Sequence, residues 1–227
     1  MKVSDPNWVF LMILCLSFIA SASPQCQEDQ QSLLLNLKLS FSFNSSKSYK
    51  LLSWELGKDC CEWKGISCDV GGLGHVVGLD LSNDSISGWK YSHGISGLSY
   101  LLSLNLSFNN FSMKIPAGIA NLTQLKALNL SNAGFTGEIP IQISGLANLV
   151  VLDLSVSALY SNESPQLAKA GLRSLVKNLI HLRELYLDGM DLSGSVADWG
   201  TVLSSLLPNL QVLSLVSCNL SGDIHDS

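Results

Sequence analysis

The sequence predicts an α/β solenoid: a right-handed superhelix with short parallel strands on its concave face and a helical, disulfide-stapled cap at its N-terminal end. Three observations carry that expectation. Leucines recur with a period of 24 residues, at Leu98, Leu122 and Leu146. Within each period they alternate as LxL, which places them on one side of a strand. Four cysteines, Cys26, Cys60, Cys61 and Cys68, cluster before the period begins.

The first segment, residues 1–22, reads as a signal peptide. WVFLMILCLSFIA, from Trp8 to Ala20, follows Lys2 and ends in the small residues Ala20, Ser21 and Ala22. This apolar run is shorter than the ~20 residues that a bilayer span needs. No later segment is long and apolar enough to span a membrane. The expected address is the secretory pathway: the cell surface for a longer receptor, or the extracellular space for the chain alone.

Residues 23–75 form the expected cap. In EDQQSLLLNLKLSF, Leu33, Leu34, Leu37 and Phe41 share a helical face, and Glu28 and Asp29 suit the positive start of the helix. Trp54 and Trp63 are expected to anchor the cap by packing. Export permits disulfides among the four clustered cysteines. Adjacent Cys60 and Cys61 are poorly placed to bond each other, which leaves two pairings open. Cys218 stands alone in a repeat, so a buried structural role is expected for it.

Residues 76–227 hold about six repeats. The clearest are LSYLLSLNLSFNNFSMKIP, LTQLKALNLSNAGFTGEIP, LANLVVLDLSVSAL, LIHLRELYLDGMDLSGSV and LPNLQVLSLVSCNLSGDI, preceded by the less regular HVVGLDLSNDSISG. The LxL segments are too short and alternate too strictly for helical faces, so these are leucine-rich repeats. Each unit buries its leucines only against its neighbours, and the chain is therefore expected to stack as a solenoid. An insertion at 155–178 widens one interval to 33 residues and carries Leu167, Leu172, Leu175 and Val176 at helical spacing. A second widening, ADWGTVLSSLL, predicts another helical turn.

Composition excludes several functions. The formal charge is −5 and the basic residues are scattered singly, so no nucleic-acid partner is expected. His75, His93, His181 and His225 lack metal-ligand spacing, and no nucleophile–histidine motif occurs. No catalytic residue, metal or cofactor is expected. GGLGH, from Gly71 to His75, imitates a phosphate loop but leads into a strand, so it reads as a turn.

Several motifs together resemble a known family. CQEDQQSLLLNLKLSF from Cys26, WELGKDCCEWKGISC from Trp54 and GHVVGLDLS from Gly74 are similar to the N-terminal cap of plant extracellular leucine-rich repeat proteins. GEIP at Gly137–Pro140 resembles their extended repeat consensus. The insertion and the last two units resemble, more narrowly, plant receptor-like proteins, the class with many disease-resistance receptors. The resemblance implies the pairings Cys26–Cys60 and Cys61–Cys68. It also implies a cell-surface receptor in defence or developmental signalling, with an extracellular peptide or protein ligand and a receptor kinase as co-receptor. Such receptors continue through more repeats to a C-terminal cap and a membrane span. The chain reads to mid-repeat at Ser227, so it is expected to be an N-terminal fragment without that cap and span. The alternatives are a secreted inhibitor of cell-wall-degrading enzymes, similar to polygalacturonase inhibitors, or a non-functional truncated product. The insertion speaks against the inhibitor.

Candidate sites follow from the repeat. Asn-x-Ser/Thr glycosylation signals begin at Asn44, Asn83, Asn105, Asn110, Asn121, Asn129, Asn162 and Asn219. Asn105 and Asn129 take outward strand positions in adjacent units, so glycans there would shield that part of the concave face. Asp153, Glu184, Tyr186 and Asp188 form the expected ligand-binding patch, acidic with one aromatic, suited to a basic peptide or protein. Gln211, Ser214 and Val216 are expected beside them. The position three after the last strand leucine, usually Asn in such repeats, is held by Asp84, Asn109, Ala133, Ser157, Met190 and Cys218. Ala133 and Met190 cannot bond there, which predicts a looser spine in units three and five.

Overall fold

A computed structural model of the chain describes residues 25–90, 92–157, 165–167, 171–193 and 199–220. The signal-peptide segment 1–22, Asn162 and part of the insertion lie outside the described residues.

The cap opens with helix α1 (Glu28–Ser40), whose first turn carries Glu28 and Asp29. It buries Leu34 and Leu37 with Gln30 and Ser40. Leu33 packs only partly against the core, and Phe41 leaves the helix. Its backbone is extended and opens strand β1 (Phe41–Phe43). The expected helical face therefore ends one residue early, because Phe41 pairs antiparallel with Trp89 of strand β4 (Ile86–Trp89). Its ring packs against Trp89 at 5.2 Å and Phe111 at 6.0 Å, and that aromatic burial outweighs one more helical residue. Trp54 and Trp63 are both buried, and their rings stack 5.6 Å apart.

Among the described residues the main sheet has seven strands. Strand β2 (Ile66–Cys68) of the cap pairs antiparallel with β3 (Val76–Asp80). After it the strands run parallel: β5 (Ser103–Asn105), β6 (Ala127–Asn129), β7 (Val151–Asp153), β8 (Glu184–Tyr186) and β9 (Val212–Ser214). Their register stacks Leu79, Leu104, Leu128, Leu152, Leu185 and Leu213 in one column. Leu104, Leu128, Leu152 and Leu185 are fully buried. Each such leucine contributes about 1.5–3 kcal/mol by leaving water, so adding a unit adds core.

The opposite layer is built from 3-10 turns at Ser92–Gly97, Ala117–Asn121 and Ile141–Gly145. Two short helices continue it, α2 (Gly171–Val176) and α3 (Trp199–Leu206). Each element packs on the one before, from α1 through the turns to α3. The apolar spacing foretold α2, whose buried residues are Leu172, Leu175 and Val176, although Leu167 of the expected face lies before it, and the second widening foretold α3. A narrower parallel pairing, Lys114 with Thr136 and Glu138 with Gln166, runs beside the GEIP segment.

Candidate ligand-binding face

The register places two outward columns on the sheet. The first reads Gly78, Ser103, Ala127, Val151, Glu184 and Val212; the second reads Asp80, Asn105, Asn129, Asp153, Tyr186 and Ser214. Val212, not Gln211, stands in register with Glu184, because Gln211 lies one residue before β9. The surface thus changes along the solenoid. The small side chains at Gly78 and Ser103 border a shallow trough, whereas the later units present larger and charged groups.

The second column also builds the strand ends. Asp80, Asn105, Asn129 and Asp153 each accept the backbone N–H of the serine two residues on, at 2.8 to 3.1 Å. This local turn supplies an acceptor where the ladder stops. Asp80 also takes an ion pair from Lys50 at 2.7 Å. Burial pushes the Asp80 carboxyl up, but the hydrogen bonds from Lys50 and Ser82 outweigh it and hold the group below its ordinary value.

Three of the four expected ligand residues come together. The Tyr186 hydroxyl donates to Glu184 Oε2 at 3.0 Å, and Asp153 is the register partner of Tyr186 on the neighbouring strand. The hydrogen bond to Glu184, then burial, then the charges of Glu184 and Asp153 raise the Tyr186 phenol above its ordinary value. Asp188 is employed differently. Its Oδ1 accepts the Ser214 hydroxyl at 2.6 Å and the Val216 N–H at 2.8 Å, so it fastens the next unit.

The glycosylation signals divide by exposure. Asn44, Asn83, Asn110, Asn121 and Asn219 are exposed, while Asn105 and Asn129 are half-buried and face each other across β5 and β6. In both of the latter, Oδ1 also accepts the hydroxyl of the signal's own serine, Ser107 or Ser131. Nδ2, the atom that carries a glycan, stands outside that turn.

The cap is closed by the disulfides Cys26–Cys60 and Cys61–Cys68, the pairing that the resemblance implied. Asp59 lies among these cysteines, but the sulfurs are bonded to one another, and its Oδ1 accepts the N–H groups of Cys26 and Cys61. That set is a staple and not a metal site. In GGLGH, Gly74 has φ +68°, and a side chain there would overlap the Gln25 carbonyl. The glycine lets the turn close on the cap's first residues, where Gln27 N–H meets the Gly74 carbonyl.

A leucine rich repeat N-terminal domain matches residues 27–69, and the leucine rich repeat matches residues 100–122 and 124–146. Receptor-like protein 6 of Arabidopsis thaliana is 34% identical over 230 residues, which covers 94% of this chain. The chain carries the N-terminal domain and the repeats of leucine-rich repeat proteins and is similar to plant receptor-like proteins. The chain spans 23% of the length of that relative. Among solved structures it is similar to the ectodomain of the receptor kinase GASSHO1/SCHENGEN3 from Arabidopsis thaliana in complex with Casparian strip integrity factor 2. That match has 27% identity and a TM-score of 0.62, over 83% of this chain and 21% of that one. The ectodomain of the Arabidopsis receptor kinase HAESA, in complex with an IDA peptide hormone ligand, is 26% identical with a TM-score of 0.59, over 84% of this chain and 33% of that one.

The repeats are tied by a spine that the residue types foretold only in part. Asn109 Nδ2 donates to the carbonyls of Leu81 and Leu106, and its Oδ1 accepts from the N–H groups of Asp84 and Ile86. Cys218 is buried and unpaired, and its thiol reaches the Leu187 carbonyl at 3.0 Å. This is the carbonyl equivalent to that of Leu81, so Cys218 stands in for asparagine. Ala133 and Met190 are buried, and the backbone bridges around them are intact. The Phe111 N–H meets the Ala133 carbonyl at 2.9 Å, and the Leu192 N–H meets the Cys218 carbonyl at 2.9 Å. The expected loosening of units three and five does not show as broken backbone pairing.

Proposed function

We propose that this chain is the ligand-recognising N-terminal part of a plant cell-surface receptor, exported and displayed outside the cell, which binds a peptide or protein and acts with a receptor kinase. It works by binding and not by catalysis. The ligand lies on the later units of the concave sheet and presents a basic group to Glu184 and Asp153 and an apolar group to Tyr186. The observation that carries this reading is the Tyr186–Glu184 hydrogen bond with Asp153 beside it in register. Here an aromatic surface and two carboxylates share one face of adjacent strands. The first units are unsuited to that contact: their outward column is small, and glycans on Asn105 and Asn129 would cover them.

The test is a binding titration of the purified glycoprotein with a panel of peptides matched in length and differing in Lys and Arg content. Affinity is expected to rise with basic content and to fall in Glu184→Gln and Tyr186→Ala proteins. Equal affinity across the panel, unchanged by both substitutions, overturns the reading.

A further inference from the structure

We propose that the solenoid carries a saccharide-stacking site on its flank, at the junction of the cap and the first repeats, and that its occupant is the chain's own glycan on Asn121. The site is a depression of about 560 Å³ lined by Asp69, His75, Val77, Ser99, Tyr100, Leu102, Thr123 and Gln124. Tyr100 is 48% exposed, and its ring lies parallel to that of His75, with centroids 3.7 Å apart and 11° between planes.

This platform is built and not incidental. Gln30, 3% exposed, donates through Nε2 to His75 Nδ1 at 2.9 Å, and its Oε1 accepts the Val76 N–H at 2.6 Å. Asp69 Oδ1 accepts the His75 N–H of the backbone at 2.9 Å. The histidine ring is therefore fixed from below by a buried side chain, and it holds Tyr100 flat. A flat aromatic ring bordered by hydroxyl, amide and carboxylate groups matches a pyranose. A sugar ring has an apolar C–H face for the aromatic and a rim of hydroxyls for the polar groups.

The position of the glycosylation signal points to the occupant. Asn121 is exposed at the end of a 3-10 turn, and Thr123, the third residue of its signal, lines the depression together with Gln124. Two residues of chain span at most about 7 Å, which puts the backbone of Asn121 within reach of the site for the first sugars of its glycan. Tyr100 and Gln124 hold equivalent places in neighbouring units, two residues after Leu98 and Leu122. The glycan thus has an aromatic surface one repeat away. This inference does not depend on where the ligand binds.

The test uses the glycoprotein carrying high-mannose glycans and an endoglycosidase that cuts between the first two sugars. Peptide mass spectrometry follows release at Asn121 in native and denatured protein. Release is expected to be slow in the native protein. Tyr100→Ser should accelerate it about three- to tenfold, the scale set by losing one ring contact, whereas Tyr100→Phe, which keeps the ring, should leave it slow. Equal release in all three native proteins, or no glycan on Asn121 at all, overturns the proposal. Matched thermal midpoints for the three proteins separate loss of the contact from loss of the fold.

Discussion

Asp84 accepts the backbone N–H of Leu51 at 2.9 Å, a contact between the first repeat and a loop 33 residues earlier. The same carboxylate takes the N–H groups of Tyr49 and Lys50 and the hydroxyl of Ser48, and it is 1% exposed. Four donors from one loop thus converge on a single buried side chain. In the ordinary repeat an asparagine stands here, but an amide has one acceptor oxygen and cannot serve all four. Replacing Asp84 by Ala is expected to cost about 3–5 kcal/mol, since buried donors are left without partners. Asp84→Asn should cost less. Urea unfolding of the purified variants measures both, and a cost below that of an exposed substitution would remove Asp84 as the link.

Asn109 and Cys218 offer a paired test of the spine. Asn109→Ala strands the Asp84 and Ile86 N–H groups and is expected to cost about 3 kcal/mol. Cys218→Ala removes one thiol donor from the Leu187 carbonyl and is expected to cost about 1 kcal/mol, with Cys218→Ser between that and the native chain. Burial raises the Cys218 thiol above its ordinary value. The folded state therefore holds that proton more tightly than the unfolded chain does. The benefit is complete below the unfolded value, about 8.5, and is lost as pH rises through the folded one. Unfolding curves from pH 7 to 10 should show the native chain losing stability faster than Cys218→Ala. A thiol reagent at pH 8 should label Cys218 only in denaturant.

These examples mark what the sequence could and could not show. The strand leucines were legible because burial in a solenoid repeats with the chain, so Leu104, Leu128 and Leu152 announce one another. Helix α2 was legible as local apolar spacing, and α3 as a widening of the repeat interval. Phe41 was misplaced on the helix because its partners, Trp89 and Phe111, lie far along the chain. The four donors on Asp84 come from a loop with no periodic signal. The stack of His75 on Tyr100 joins a turn of the cap to a ledge of the next unit, and no spacing rule relates them. Of the ligand patch, the alternation gave Glu184 and Tyr186 but not the distinct employment of Asp188, which depends on Ser214 of the following strand.

Tyr186 provides a spectroscopic check on the acidic cluster. Its phenol is raised first by the hydrogen bond to Glu184, then by burial and by the nearby carboxylates. Its phenolate should therefore form at higher pH than that of a free tyrosine, whose value is about 10. Ultraviolet titration of the native chain against Tyr186→Phe isolates this residue from the other tyrosines. Glu184→Gln removes the largest cause and should return the transition toward 10, with part of the charge contribution screened by salt because the site is only half-buried. An isolated transition at the free-tyrosine value in the native chain would break the cluster on which the ligand reading stands.

The two disulfides should contribute unequally. Cys26–Cys60 closes a loop of sequence separation 34 and Cys61–Cys68 one of separation 7. In the chain-entropy account a cross-link restricts the unfolded ensemble more as the loop lengthens, which gives about 4 kcal/mol for the first and about 2.5 kcal/mol for the second. Structure adds to the difference. Cys26 and Cys60 are buried in the core cluster, whereas Cys61 and Cys68 are only partly buried. Cys26 also lies against Asp59, whose Oδ1 accepts its N–H at 3.0 Å. The double variant Cys26→Ser, Cys60→Ser is therefore expected to lose at least about 1 kcal/mol more than Cys61→Ser, Cys68→Ser. Denaturant midpoints of the two variants decide it. Equal losses would mean that local packing of each staple, and not the length of loop it closes, sets the stability of the cap.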